Sequence, residues 1–89
     1  MRYAFVDYSE RAAGHFAPRG TDAQTIRDAL DDPTIHYRSR DFPDRLIAEK
    51  ELASGSALRI VYVERLDSRG LGAYVITVYP ISRKRMGKG

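Results

Sequence analysis

The chain of 89 residues suits one small domain, and it contains no cysteine, which excludes disulfides, thiolate chemistry and cysteine-based zinc sites. Its formal charge of +3 comes from 15 Lys and Arg against 12 Asp and Glu, but four of the cations lie beyond Pro80. No apolar run approaches the roughly 20 residues that cross a bilayer, and no apolar signal segment begins the chain. We therefore expect a cytoplasmic protein without a membrane partner.

The first residues predict a short strand followed by a helix. Residues 2–6 are apolar enough for an edge strand, and Asp7 or Ser9 can cap a helix over about residues 9–17. Pro18 should end that helix, because its ring clashes with the preceding turn. Three residues should face the core: Ala12, Ala13 and Phe16.

A capping box predicts the start of a second helix. In it the Thr21 hydroxyl accepts a hydrogen bond from a free backbone N–H, and the Gln24 side chain accepts one from the backbone N–H of Thr21. The helix should extend to about Asp31, because Asp32 and Pro33 stop it. Its apolar stripe consists of Ala23, Ile26 and Leu30.

Two further segments predict strands. Residues 34–40 alternate, with Ile35 and Tyr37 on one face and three basic side chains on the other: His36, Arg38 and Arg40. Residues 45–52 also alternate, although their Ala, Glu, Lys and Leu would suit a short helix. We prefer a strand there, because a short turn then leads directly into the next strand.

The strongest strand formers lie in residues 58–66 and 73–79, which predict an antiparallel hairpin with a longer loop at 67–72. The predicted order is β-α-α-β-β-β-β. This order indicates a two-layer α+β domain over residues 1–82, with two N-terminal helices packed on one face of an antiparallel sheet. Residues 83–89 form a basic C-terminal tail.

Several stretches together resemble a family of small, uncharacterised bacterial domains akin to the BrnT-type toxins of the RelE-like ribonuclease group. They are residues 7–20, 26–33, 42–46, 58–63 and 74–85. The resemblance implies a RelE-like sheet with two helices, and metal-independent RNA cleavage on the open face of that sheet. The run Ile81-Ser82-Arg83 is similar to the Ile-Ser-x-Arg strand end of BrnT-type proteins, which makes Arg83 the counterpart of their arginine.

The chain departs from the family pattern at its first helix. The family has a histidine followed one turn later by an arginine, whereas Arg11 precedes His15 here. Pro18-Arg19-Gly20 stands where BrnT-type proteins have Lys-His before the glycine. These departures favour a module that keeps the fold without the chemistry.

RNA cleavage without a metal needs a base, an acid and cations that stabilise the phosphorane charge. His15 is a natural acid or base, and Arg11 lies one turn before it. Tyr79 is a candidate acid or a platform for base stacking, and Arg83 is a candidate cation. Solvated helix side chains, and a Tyr79 that only covers the core, are the alternative interpretations.

The remaining candidates bind the nucleic-acid backbone or a base. They are Arg19, His36, Arg38, Arg40, Arg59, Thr77, Lys84 and Arg85. Arg59 lies in a central strand, where an arginine is costly to bury unpaired, so it requires an open face or a carboxylate such as Glu49 or Glu51. The tail either attracts phosphates or is anchored by Ile81 and Met86.

The resemblance thus implies a toxin-like, metal-independent endoribonuclease of the mRNA interferase type, which would cleave single-stranded RNA and be held by an antitoxin protein. The alternative is a non-catalytic module that binds protein or nucleic acid. Two histidines 21 residues apart form no recognisable metal site, so neither metal nor cofactor is expected. Because the core is small, a homodimer would be a natural source of stability.

Overall fold

A computed structural model describes residues 3–14 and 22–88. Within them the chain forms two helices and five strands, so the predicted α+β class and element order are confirmed. The elements are β1 (Phe5–Tyr8), α1 (Glu10–Gly14), α2 (Ala23–Asp31), β2 (Ile35–Arg38), β3 (Leu46–Glu51), β4 (Ser56–Asp67), β5 (Gly70–Ser82) and a 3₁₀ turn at Arg83–Arg85. Neither described helix is long and apolar enough to cross a membrane.

The sheet has the order β1-β5-β4-β3-β2. Strands β2 to β5 pair antiparallel with their neighbours, but β1 pairs parallel to β5, from Phe5 opposite Gly72 to Tyr8 opposite Val75. The prediction of a wholly antiparallel sheet is therefore wrong at this edge. The error has a physical reason, since no turn fixes the direction of a pairing between the first and last strands of a chain.

The β4–β5 hairpin is longer than predicted and its turn is tighter. The two strands pair from Ser56 opposite Ser82 to Asp67 opposite Gly70, so only Ser68 and Arg69 lie between them. The carboxylate of Asp67 accepts a hydrogen bond from the backbone N–H of Arg69 at 2.8 Å. Gly70 has φ +107°, a left-handed conformation that favours glycine. The predicted loop is thus mostly strand.

Both helices pack on one face of the sheet, which we call the inner face. Their buried side chains include Ala12 from α1 and Ile26, Ala29 and Leu30 from α2. On the sheet they meet a set of buried residues from β3, β4 and β5: Leu46, Ala48, Leu58, Ile60, Tyr62, Ala73, Val75 and Val78. This cluster is the hydrophobic core.

The first helix begins at Glu10, directly after Ser9, which is one of the two predicted caps. The Ser9 hydroxyl accepts a hydrogen bond from the Ala12 N–H at 3.1 Å and donates one to the Ile76 carbonyl at 2.6 Å. Ala13, predicted to be buried, is exposed, and Ala12 is the buried residue of the described part of this helix. Phe16 and the remainder of the predicted helix lie outside the described residues.

The second helix is capped by Asp22, whose carboxylate accepts from the Thr25 N–H at 2.8 Å. The predicted box of Thr21 and Gln24 is therefore wrong. The Gln24 side chain instead donates to Asp28, and Thr21 lies outside the described residues. Ala23 is exposed at the first position of the helix rather than in the apolar stripe.

The opposite face, which we call the outer face, carries no α-helix among the described residues. Strand register places Ile47 and Glu49 of β3 there, together with Arg59 of β4 and Tyr79 of β5. Arg59 stands directly opposite Glu49 on one side and Tyr79 on the other. Three neighbouring strands thus bring an acid, a cation and a phenol into one row.

Candidate nucleic-acid interface

The centre of the outer face is a buried ion pair. The Arg59 Nε donates to Glu49 Oε2 at 2.7 Å, and the two side chains are 9% and 0% exposed. The hydroxyl of Tyr37 donates to the same carboxylate oxygen at 2.6 Å. Of the alternatives expected for Arg59, an open face or a carboxylate such as Glu49 or Glu51, the structure shows a buried pair with Glu49. Tyr37 of β2 is hydrogen-bonded to this pair on one side and Tyr79 of β5 on the other.

The C-terminal segment folds back over this pair. The backbone N–H of Gly87 donates to Glu49 Oε1 at 2.6 Å, and the carbonyl of Arg85 accepts from Arg59 Nη2 at 2.9 Å. Both hydrogen bonds use the backbone of the segment, and both use groups of the buried pair. Met86 is half-buried between them. Residues 83–88 are thus docked on the sheet rather than extended from it.

Docking creates a cleft of about 420 Å³, which is lined by Arg59, Lys84, Arg85 and Lys88. We call it the basic cleft. Three of its four cations come from the docked segment, and none of those three takes part in an ion pair among the described residues. The cleft is therefore a concentration of uncompensated positive charge on an otherwise nearly neutral domain.

Arg59 is both the floor of the cleft and a source of hydrogen-bond donors. Burial by itself would lower the pKa of Arg59, but hydrogen bonds with Tyr79 and Glu49 outweigh it and raise the pKa, so the guanidinium stays charged. Of its five N–H groups, three donate to Glu49, Tyr79 and the Arg85 carbonyl. The other two N–H groups have no hydrogen-bond partner among the described residues.

The structure brings several of the predicted site residues together at the basic cleft. Arg59, Lys84 and Arg85 line it. The Tyr79 hydroxyl accepts from Arg59 Nη1 at 3.3 Å, and the guanidinium carbon lies 5.7 Å from the centre of the Tyr79 ring. Thr77 is two residues before Tyr79 on the same strand and on the same outer face. The exposed Arg83 begins the 3₁₀ turn next to the cleft.

Other predicted residues lie elsewhere. His36 and Arg38 stand opposite Ala48 and Leu46, on the inner face. They are exposed because β2 is an edge strand, and Arg38 donates to the Pro43 carbonyl at 2.5 Å. Arg40 is exposed in the turn after β2, and Arg11 is exposed on α1. His15 and Arg19 lie outside the described residues.

Two features of the site were missed from the sequence. Tyr37 was predicted only to share a strand face with Ile35, yet its hydroxyl holds Glu49 in place. Gly87 contributes its backbone N–H, which carries no signature in a sequence. Lys88 was predicted only to belong to the basic tail. The run of positive charges was the one sequence feature that indicated a basic site there.

No group of three or more His, Asp or Glu side chains in the described parts of the chain could hold a metal ion. Comparison with protein-family models, curated proteins and solved structures finds no match. The resemblance to the BrnT-type family therefore stays a prediction from the residue pattern.

The buried pair should show strong coupling in a double-mutant cycle. Glu49→Leu and Arg59→Leu should each lower the free energy of unfolding by about 3–5 kcal/mol, because each leaves an unpaired buried charge. The double variant should lose clearly less than the sum of the two. Urea unfolding of the four proteins measures the cycle.

The matched control is the Lys50–Asp32 pair, whose side chains lie 3.5 Å apart and are 33% and 91% exposed. Lys50→Gln and Asp32→Asn should couple by less than about 1 kcal/mol. Additive losses at Glu49 and Arg59 would contradict the geometry described above.

Proposed function

We propose that the protein binds the sugar-phosphate backbone of single-stranded RNA in the basic cleft. The observation that carries this proposal is the assembly of four cations around one cleft, three of them without a carboxylate partner among the described residues. Gathering like charges is unfavourable in a free protein, and a polyanion relieves that cost while releasing its counterions.

The neighbouring aromatic residue favours a single strand over a duplex. Tyr79 is half-buried beside Arg59, so its ring is held in place with one part still accessible. Bases of an unpaired strand can stack on such a ring, whereas the bases of an RNA duplex are stacked on each other. Thr77 adds a hydroxyl on the same face.

Lys84, Arg85 and Lys88 supply charge without holding the segment in place, because docking uses the Arg85 carbonyl and the Gly87 N–H. A triple variant with Lys84→Gln, Arg85→Gln and Lys88→Gln should therefore keep its melting temperature and lose affinity for single-stranded RNA. The slope of log affinity against log salt should flatten by up to about 0.7 for each phosphate that the variant no longer neutralises. Fluorescence anisotropy with a labelled oligonucleotide at several salt concentrations measures both effects.

The matched control removes the same charge outside the cleft, through Arg11→Gln, Arg38→Gln and Arg40→Gln. This variant should keep most of the affinity and the salt slope. Equal losses in both triple variants would mean that net charge alone drives binding, and would contradict the assignment to the cleft. Deletion of residues 83–89 is less specific, because it also removes the Gly87 hydrogen bond to Glu49.

A second candidate function is cleavage of the bound RNA, as the resemblance to RelE-like ribonucleases implies. The observation that favours it is the Tyr79 hydroxyl, which lies 3.3 Å from a guanidinium nitrogen beside the cleft. A phenol held next to cations can donate a proton to a leaving oxygen while the cations stabilise the phosphorane charge. His15, Arg11 and Arg83 are the other candidate catalytic groups.

Cleavage should proceed in the presence of EDTA if this second function holds. Tyr79→Phe, His15→Ala and Arg83→Ala should each slow cleavage, and Tyr79→Phe should leave RNA affinity within a few-fold of the parent protein. Denaturing gels of varied single-stranded RNAs provide the measurement. Intact RNA together with saturable binding would leave the protein as a binding module that has no ribonuclease activity.

A protein partner of the antitoxin type, or a second copy of the chain, belongs to the same proposal. Charge complementarity favours a partner that places an acidic segment on the basic cleft. Such a partner would compete with RNA for the same four cations.

A further inference from the structure

A chain of four hydrogen-bonded side chains lies on the inner face, away from the basic cleft. His36 Nε2 is 2.6 Å from the Tyr62 hydroxyl, which is 2.8 Å from the Tyr3 hydroxyl. The Tyr3 hydroxyl in turn donates to Glu64 Oε2 at 2.9 Å. The chain therefore links the edge strand β2 to the central strand β4 and to the N-terminal segment. The proposed RNA site uses none of these groups.

The carboxylate at one end sets the direction of every hydrogen bond in the chain. A carboxylate only accepts, so the single hydroxyl hydrogen of Tyr3 is used on Glu64. Tyr3 must then accept from Tyr62, and Tyr62 must accept from His36. The hydrogen of a neutral His36 is consequently on Nε2, and its Nδ1 is left as an acceptor.

The hydroxyls of Tyr3 and Tyr62 both remain protonated, so each keeps the hydrogen that it donates to the next group. Burial raises the pKa of Tyr3, and its hydrogen bond with Tyr62 raises it further. Burial also raises the pKa of Tyr62. The two rings pack edge to face with their centres 5.7 Å apart, so the hydroxyls are held by packing as well as by hydrogen bonds.

The same residues line a cavity of about 180 Å³. Its walls are Tyr3, Leu30, Pro33, His36 and Tyr62. Tyr3, Leu30 and Tyr62 are buried, Pro33 is half-buried, and His36 is the exposed member of the lining. The cavity is thus an apolar chamber with an imidazole in its lining.

The size of the cavity restricts its ligand to about one ring. An engineered apolar cavity of about 150 Å³ in another protein stays dry and binds benzene, and pockets for drug-sized ligands begin near about 300 Å³. Aromatic walls favour a planar aromatic molecule. Because His36 lines the cavity and its Nδ1 is an acceptor, a ligand with a hydrogen-bond donor on its rim is favoured.

We propose that this chamber, which we call the His36 pocket, binds a small monocyclic aromatic molecule that carries one hydroxyl or N–H donor. The ring lies against Leu30, Tyr3 and Tyr62, and the donor binds Nδ1 of neutral His36. Glu64 is a positioning residue, because it fixes the tautomer of His36 through the two tyrosines. The site is independent of RNA binding and lies on the other face of the sheet.

Phenol is the probe, and benzene is its matched control without a donor. Titration of the isotope-labelled full chain with phenol should give saturable NMR shifts at Leu30, His36 and Tyr62. Phenol should bind about 2- to 10-fold more tightly than benzene, which is the value of one net hydrogen bond. The imidazole nitrogen shifts of His36 should report the Nε2–H tautomer under mildly alkaline conditions.

His36→Ala removes an exposed side chain, so it should leave the fold intact while abolishing the preference for phenol over benzene. Tyr62→Phe removes a hydroxyl from the hydrogen-bonded series of His36, Tyr62, Tyr3 and Glu64. It should weaken the preference for phenol over benzene, and it should allow neutral His36 to adopt either tautomer. Three results would each overturn the proposal: no saturable shift with either probe, an Nδ1–H tautomer in the parent protein, or an unchanged preference in His36→Ala.

Discussion

A guanidinium and a carboxylate buried at the centre of the sheet constrain the rest of the outer face. Neither Arg59 nor Glu49 could lie there alone, since an unpaired buried charge costs several kcal/mol. Their remaining hydrogen-bonding capacity binds the backbone of residues 85 and 87. The docked segment then presents its own cations beside Arg59. One buried pair thus connects the stability of the sheet to the formation of the basic cleft.

The two faces of the sheet offer different chemistry because they are covered differently. Helices cover the centre of the inner face, and the uncovered edge near β2 leaves a small apolar chamber beside His36. A short cationic segment covers part of the outer face, and the gap beneath it is polar and positive. The first environment suits a small neutral ring, and the second suits a polyanion.

Local patterns were sufficient to predict the order of the elements and the α+β class. For Arg59 the sequence predicted either an open face or a carboxylate such as Glu49 or Glu51, because an unpaired arginine is costly to bury in a central strand; the choice of Glu49 comes from the strand register. Pairings between distant parts of the chain were not predictable. Tyr3 and Tyr62 are 59 residues apart, the segment at 83–88 docks through backbone groups, and the β1–β5 pairing is set by no turn.

We propose that RNA binds on the outer face at the basic cleft. An NMR titration of the labelled chain with a single-stranded RNA oligonucleotide tests it most directly. The account predicts saturable shifts at Arg59, Tyr79 and residues 84–88, with the resonances of Leu30, His36 and Tyr62 unmoved. Shifts confined to α2 and β2, or no shifts at all, would contradict it.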